Sequence, residues 1–412
     1  MEELHGSIDD WLASLASLPG EVGALLAGSP AGQEGPGYAH TLREICQQPV
    51  TWIETATRVA GQVALFRESL AGVNGDGAAG AIVLTGSGSS LYAGECLSLG
   101  LQGALGISAH AVPAGMVLTD PAGCLPERGP SLLVSFARSG NSPESCGAVD
   151  AVLESIPRCR HLVITCSGQG RLATSYRDDP RVATVVLDER TNDRSLVMTS
   201  SFTNMVLAGR LLALTGDVDG YRRRVSVLAR HAADLLLAPA DALARIARSD
   251  YRTAVYLGSG NRYGAAREAA LKMLEMTGGQ VKTFPETFLG LRHGPMCAVD
   301  DEALVVCFLS SDPVTRAYEL DLVRELNRKK LGARKVIVGP GVPADVVSSG
   351  DVVVDFPALA SVADADAAVL DVVAGQLLAF FRCLHIGLRP DAPSDEGVIS
   401  RVVGDFAIHR RQ

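Results

Sequence analysis

The sequence predicts a doubly wound α/β protein with two parallel sheets in tandem, and three observations carry that expectation. Short apolar β-type runs alternate with helical patterns along most of the chain, as they do where helices cover both faces of a parallel sheet. The runs fall into two sets of four. The sets also share one register. Gly86-Ser87-Gly88 and Gly258-Ser259-Gly260 lie 172 residues apart, and so do Ser131-Leu-Leu-Val-Ser-Phe136 and Ala303-Leu-Val-Val-Cys-Phe308. Two strand–loop units at one offset point to an internal duplication.

Taken in order, residues 1–40 hold Gly/Pro-rich stretches, Gly28-Ser-Pro and Gly35-Pro-Gly, and read as a loosely attached arm. The first set of strands is expected at Ala81–Leu84, Leu132–Ser135, Leu162–Thr165 and Thr184–Leu187. The second is expected at Ala254–Leu257, Leu304–Phe308, Lys335–Val338 and Val352–Asp355. The resulting division is an N-terminal helical arm (1–60), a first domain (61–220), a second domain (221–390) and a tail (391–412). The most apolar stretch, Val369 to Leu388, is interrupted by Asp371, Gln376, Arg382 and His385, so it reads as a buried core helix and not a membrane span.

Composition narrows the class of function. With 412 residues and 47% hydrophobic content the chain has material for more than one core. A net charge of −9 argues against a nucleic-acid surface, though a few local donors can still hold one phosphate. Nine cysteines without a CxxC pair read as reduced apolar fillers. The start, Met1-Glu-Glu-Leu-His, lacks the basic and apolar regions of a secretion signal, so a cytoplasmic protein that binds no membrane is expected.

Several motifs carry candidate chemistry. Each Gly-Ser-Gly follows a strand and opens a helix, where glycine permits the turn and free N–H groups face a ligand. Neither is a dinucleotide fingerprint, because Leu91 and Tyr263 stand where GxGxxG needs glycine. In Ser135-Phe-Ala-Arg-Ser-Gly-Asn-Ser-Pro-Glu144, the groups Ser139, Asn141 and Ser142 cluster donors suited to a phosphate, whereas an ordinary helix cap needs only one hydroxyl. The matching Ser310-Ser-Asp-Pro-Val-Thr loop carries an acid at Asp312, so that copy is expected to have lost the role. Met198-Thr199-Ser200-Ser201 either caps a helix or walls a sugar phosphate. On the helix from Arg262 to Thr277, Glu268, Lys272 and Glu275 share one stripe. It reads as a solvent face of Glu–Lys pairs or as a general base beside a cation. Arg292-His293-Gly294-Pro295 sets an imidazole at a turn. No metal-ligand set accompanies these residues, and no cofactor is expected.

Together with Glu44-Ile-Cys-Gln-Gln-Pro49 and the Arg401-Val-Val tail, these segments resemble the sugar isomerase (SIS) superfamily, and within it the AgaS-type galactosamine-6-phosphate deaminase/isomerases. They also resemble the isomerase half of glucosamine-6-phosphate synthase. The resemblance covers about residue 40 to the end. It implies two tandem flavodoxin-like SIS domains and a phosphate held by Ser87, Ser89, Ser139 and Ser142, with Ser90, Asn141, Thr199, Ser200 and Ser259 as further substrate contacts. It implies Glu275 as the base that moves a proton between C1 and C2, His293 as the ring-opening group, often supplied by the neighbouring subunit, and Lys272 and Arg401 as cations near the sugar. A homodimer or larger homo-oligomer is implied too. Asn192 and Ser400 depart from the residues common at their positions, which bears on the sugar. No glutaminase domain precedes the SIS halves, so ammonia release is expected ahead of ammonia transfer. The expected activity is conversion of a 2-amino-2-deoxyhexose 6-phosphate to a ketohexose 6-phosphate and ammonia without a metal. The alternatives are plain aldose–ketose isomerisation and a non-catalytic sugar-phosphate sensor.

Overall fold

The computed structural model describes residues 4, 6–73, 80–126, 129–356, 360–394, 397–402, 404 and 407–409. Part of the expected tail (391–412) therefore lies outside the described residues. Among the described residues, six helices precede the first strand: α1 (Ile8–Ala16), α2 (Glu21–Leu26), α3 (Pro30–Glu34), α4 (Ala39–Cys46), α5 (Gln48–Ala60) and α6 (Val63–Leu70). The first sheet comprises β1 (Ala81–Gly86), β2 (Ser108–Pro113), β3 (Ser131–Ala137), β4 (Cys159–Thr165) and β5 (Val182–Val186). Between and after these strands run α7 (Ser89–Leu105), α8 (Ala114–Thr119), α9 (Pro121–Cys124), α10 (Pro143–Ser155), α11 (Arg171–Thr174) and α12 (Ser200–Arg210). Helices α13 (Val218–Leu235) and α14 (Ala238–Ala247) lead to the second sheet, β6 (Thr253–Leu257), β7 (Lys282–Glu286), β8 (Leu304–Phe308), β9 (Arg334–Gly339) and β10 (Val352–Asp355). Its helices are α15 (Asn261–Met276), α16 (Pro313–Lys329) and α17 (Asp364–His385).

The chain forms two compact units. One, built on the first sheet, contains residues 51–193, 200–226 and 399–412; the other, built on the second, contains 1–50, 194–199 and 227–398. The first sheet runs β2-β1-β3-β4-β5 and is parallel throughout, with Ile82 opposite Ala109 on one side and Leu132 on the other. The second, read from its other edge, runs β7-β6-β8-β9-β10 and is also wholly parallel. Helices cover both faces of such sheets, which is why β3 and β8 are buried at every residue and read as unbroken apolar runs.

Two strands escape the sequence expectation, and both hold the same place. β2 and β7 are the edge strands beside β1 and β6. They are less buried than β3 and β8 and carry Pro113 and Pro285, so the apolar run that marks an interior strand is missing.

The expected core helix is α17, 22 residues long and apolar enough to cross a membrane by composition, yet 94% of that window is buried. Two of its buried polar residues have partners inside the second-sheet unit. Arg382 donates to the carbonyls of Ala247, Ser249 and Tyr251, and Gln376 pairs with Gln48 and the Thr199 carbonyl. The N-terminal segment is helical, but it is tied down where a loose arm was expected. Trp11 Nε1 donates to the Cys46 carbonyl at 2.8 Å, and Asp391 accepts from the backbone N–H and hydroxyl of Thr41 at 2.7 and 2.8 Å.

Candidate active site

In the first-sheet unit, β1 and β3 are neighbours whose connections leave in opposite directions along the sheet. In doubly wound sheets that reversal opens a crevice at the carboxyl ends of the strands. The two serine loops end there. After β1, Gly86 is pressed so close to Ser90 that a Cβ would meet its backbone carbonyl carbon at 2.6 Å, and Gly88 adopts a φ of 56° as it opens α7. Ser87 is half-buried, while Ser89 and Ser90 are buried in the first turn.

After β3, Gly140 turns the chain at a φ of 68°, and Pro143 begins α10. Ser142 does not cap this helix. Its hydroxyl donates to Glu144 Oε2 at 2.8 Å, so the ordinary cap considered from sequence is not what this serine forms. The backbone N–H of Asn141 donates to Ser139 Oγ at 3.3 Å, and Asn141 Oδ1 accepts from the Arg171 N–H at 3.0 Å. Glycine turns, hydroxyls and two helix N-termini thus converge on one end of one sheet, an arrangement that suits a phosphate.

Arg401 belongs to the same unit. Its Nε donates to the Asp193 carbonyl at 2.9 Å and its Nη2 to Asn192 Oδ1 at 3.0 Å, while Arg138 donates to the Arg401 carbonyl at 2.6 Å. Asn192, one of the two departures noted from sequence, is therefore the side chain that holds the tail arginine. Ser200 opens α12, and the cap there is Asp193. Its carboxylate accepts from the Ser200 and Ser201 N–H groups at 3.1 and 2.9 Å and from the Ser201 hydroxyl at 2.5 Å. No sequence signal pointed to an acid seven residues ahead of the helix.

In the second-sheet unit, Gly260 repeats the Gly88 geometry with a φ of 58° and opens α15. The stripe on α15 is not a solvent face. Lys272 and Glu268 are fully buried, and Glu275 is partly exposed. Lys272 Nζ lies 2.6 Å from Glu275 Oε2 and 3.3 Å from Glu268 Oε1. Burial alone would push the lysine toward neutrality, but Glu268 and Glu275 outweigh it and hold its pKa above the ordinary value. Lys272 thus lies between two carboxyl groups, and Glu275 is the exposed end of the trio. That is the arrangement of a base with a cation in contact.

Ser259 and Thr199 are in this unit as well. The Ser259 hydroxyl bonds Glu319, and Thr199 is buried with its carbonyl accepting from Gln376. His293 ends a 3-10 turn, Gly290–His293, and is exposed there, followed by Gly294 at a φ of 124°. Glu44 is a buried clamp. It accepts from the Arg194 and Ser195 N–H groups at 2.5 and 3.3 Å and from the Ser195 hydroxyl.

Two doubly wound sheets with matched glycine–serine turns, and a helix that buries Glu268 and Lys272 beside a partly exposed Glu275, are those of a protein of the sugar isomerase class, the SIS superfamily. A Streptomyces coelicolor AgaS protein is 41% identical over 374 residues, 90% of this chain and 95% of its own length. The D-galactosamine-6-phosphate deaminase AgaS of Escherichia coli is 36% identical over 378 residues, again 90% and 95%. Among solved structures, the tagatose-6-phosphate ketose/aldose isomerase of Escherichia coli superposes with a TM-score of 0.81 at 32% identity, covering 91% of this chain and 97% of that one. No protein-family model matches the chain. The chain belongs to the AgaS family.

Proposed function

We propose that this chain is an amino-sugar 6-phosphate deaminase/isomerase, with galactosamine 6-phosphate the favoured substrate. The observation that carries the reading is the buried Lys272 in contact with the partly exposed Glu275, in a chain 36% identical to a protein named for that deamination. The serine loops after β1 and β3 bind the phosphate, and His293 assists opening of the pyranose. Glu275 removes the C2 proton, which is acidic because it lies α to the C1 carbonyl. The electron pair moves into the C1–C2 bond and onto O1, and Lys272 or Arg401 stabilises that charge. Return of the proton to C1 leaves an imine at C2. Water adds to the imine carbon and ammonia departs, giving a ketohexose 6-phosphate.

The name of the solved relative supports a second reading. With oxygen at C2 the same proton transfer interconverts aldose and ketose, and no ammonia is released.

Glu275→Gln tests the reading. It keeps the shape but removes the proton acceptor, and should lower exchange of substrate C2 hydrogen with solvent by ~10²-fold or more while sugar-phosphate binding persists. Wild-type exchange rates in the variant would rule Glu275 out as the base. Lys272→Ala is the poorer test, because it strands the buried Glu268 charge at a cost of about 3–5 kcal/mol in stability. Ammonia release from galactosamine 6-phosphate supports the first reading; interconversion of tagatose 6-phosphate with its aldose, and no ammonia from galactosamine 6-phosphate, supports the second.

We also infer that the two sheets descend from one duplicated unit, which their common strand order and the matched φ of Gly88 and Gly260 support, and that the active form is a homodimer or larger.

A further inference from the structure

The loop after β8 holds, in the second sheet, the place that the Ser139–Ser142 loop after β3 holds in the first. It surrounds a carboxylate. Asp364, the first residue of α17, lies in it. Ser310 Oγ donates to Asp364 Oδ2 at 2.5 Å, and the backbone N–H and hydroxyl of Ser311 donate to Oδ1 at 2.8 and 3.0 Å. Arg262 Nε completes the set, donating to Oδ1 at 3.1 Å. Ser310 and Arg262 are buried. These are the groups a phosphate would use: two hydroxyls, a backbone N–H and a guanidinium. The acid that suggested a lost site from sequence, Asp312, is not the occupant. It caps α16, accepting from the Thr315 N–H at 2.8 Å.

We propose that this loop is a second anion cradle whose resident ligand is the protein's own Asp364 carboxylate, so that of two phosphate-type cradles only the one in the first-sheet unit is open to sugar phosphate. The charges around it fit a filled site. Burial raises the Asp364 pKa, but Arg262 and the serine donors outweigh it and keep the carboxylate ionised below its ordinary range. Arg262 Nη1 is meanwhile committed to both oxygens of Asp371 at 2.9 Å. Burial pushes Asp371 up to about 7 and Glu319 up to about 6. Three acids around one guanidinium leave no room for an added dianion. An emptied cradle would take a small oxyanion such as inorganic phosphate or formate.

The test reads anion dependence of stability and so stands or falls independently of the proposed reaction. Asp364→Gly empties the cradle and should lower Tm by roughly 5 °C or more. Sodium formate or inorganic phosphate, at ionic strength matched with sodium chloride, should restore at least half of that loss and shift the wild type far less. Asp364→Asn should be destabilised as well but without that rescue, because its amide fills the space. Equal anion dependence in the wild type and Asp364→Gly, or equal rescue of the Gly and Asn variants, overturns the proposal. Should Asp364→Gly not yield folded protein, a carbon-13 carboxyl titration of the wild type reads the same contact. The Asp364 signal should titrate below the ordinary aspartate range, and a midpoint within or above it overturns the proposal.

Discussion

His161 is buried on β4, and among the described residues neither ring nitrogen has a hydrogen-bonding partner. Burial, reinforced by Arg181 and opposed by Asp179, lowers its pKa from 6.5 to about 4. The ring is therefore neutral in the fold, while the unfolded chain binds a proton below the ordinary value. As pH falls from 6.5 toward 4, the unfolded state gains a proton that the folded state refuses, and stability declines by on the order of 3 kcal/mol across that window. His161→Leu should flatten this part of the acid limb in urea unfolding at pH 7 and pH 4.5. An identical decline in both proteins would place the acid sensitivity elsewhere. At this scale the sequence was only partly legible. The spacing of Glu268, Lys272 and Glu275 was plain, but their burial depends on neighbouring elements far away in sequence. Ser142 and Ser200 show the same limit: residue type suggests a cap or a ligand contact, and only the positions of Glu144 and Asp193 decide what each does.

Among elements, α15 packs tightly on α17. A Cβ at Gly375 would lie 2.4 Å from the Ala269 Cβ, so the glycine allows the helix bearing Lys272 and Glu275 to approach its neighbour. Gly375→Ala should force them apart and cost ~1–3 kcal/mol in chemical denaturation. Adding Ala269→Gly should recover part of that loss; no recovery would mean the cost arises elsewhere. The interior strands and both long apolar helices could be read from composition and periodicity, because burial on all sides writes itself into every residue. The edge strands β2 and β7 could not. The closed cradle after β8 was half legible: an acid was expected there, and the one that fills it, Asp364, comes from a helix more than fifty residues on.

For the whole molecule, the single offset of 172 residues foretold two sheets of like construction. Contact between subunits leaves no comparable pattern in one sequence, so oligomerisation is a matter for experiment. If His293 acts on the substrate of a neighbouring subunit, mixing inactive Glu275→Gln and His293→Ala chains should restore part of the activity, since some mixed dimers regain one complete set of groups. No restoration despite verified subunit exchange would mean that each chain completes its own site. The discontinuous make-up of the second-sheet unit bears on the order of events at the ribosome. Strands β1–β5 are contiguous in the chain and emerge early. Helix α4 packs on α17, and the backbone of Thr41 is held by Asp391. Helix α4, made before the first sheet, must therefore wait for α17, with Tyr38 lacking the edge contact it makes to Phe380, until α17 has left the exit tunnel. Domains generally fold as they are completed, so α4 finds its place only after the first sheet, which follows it in the chain, has been made.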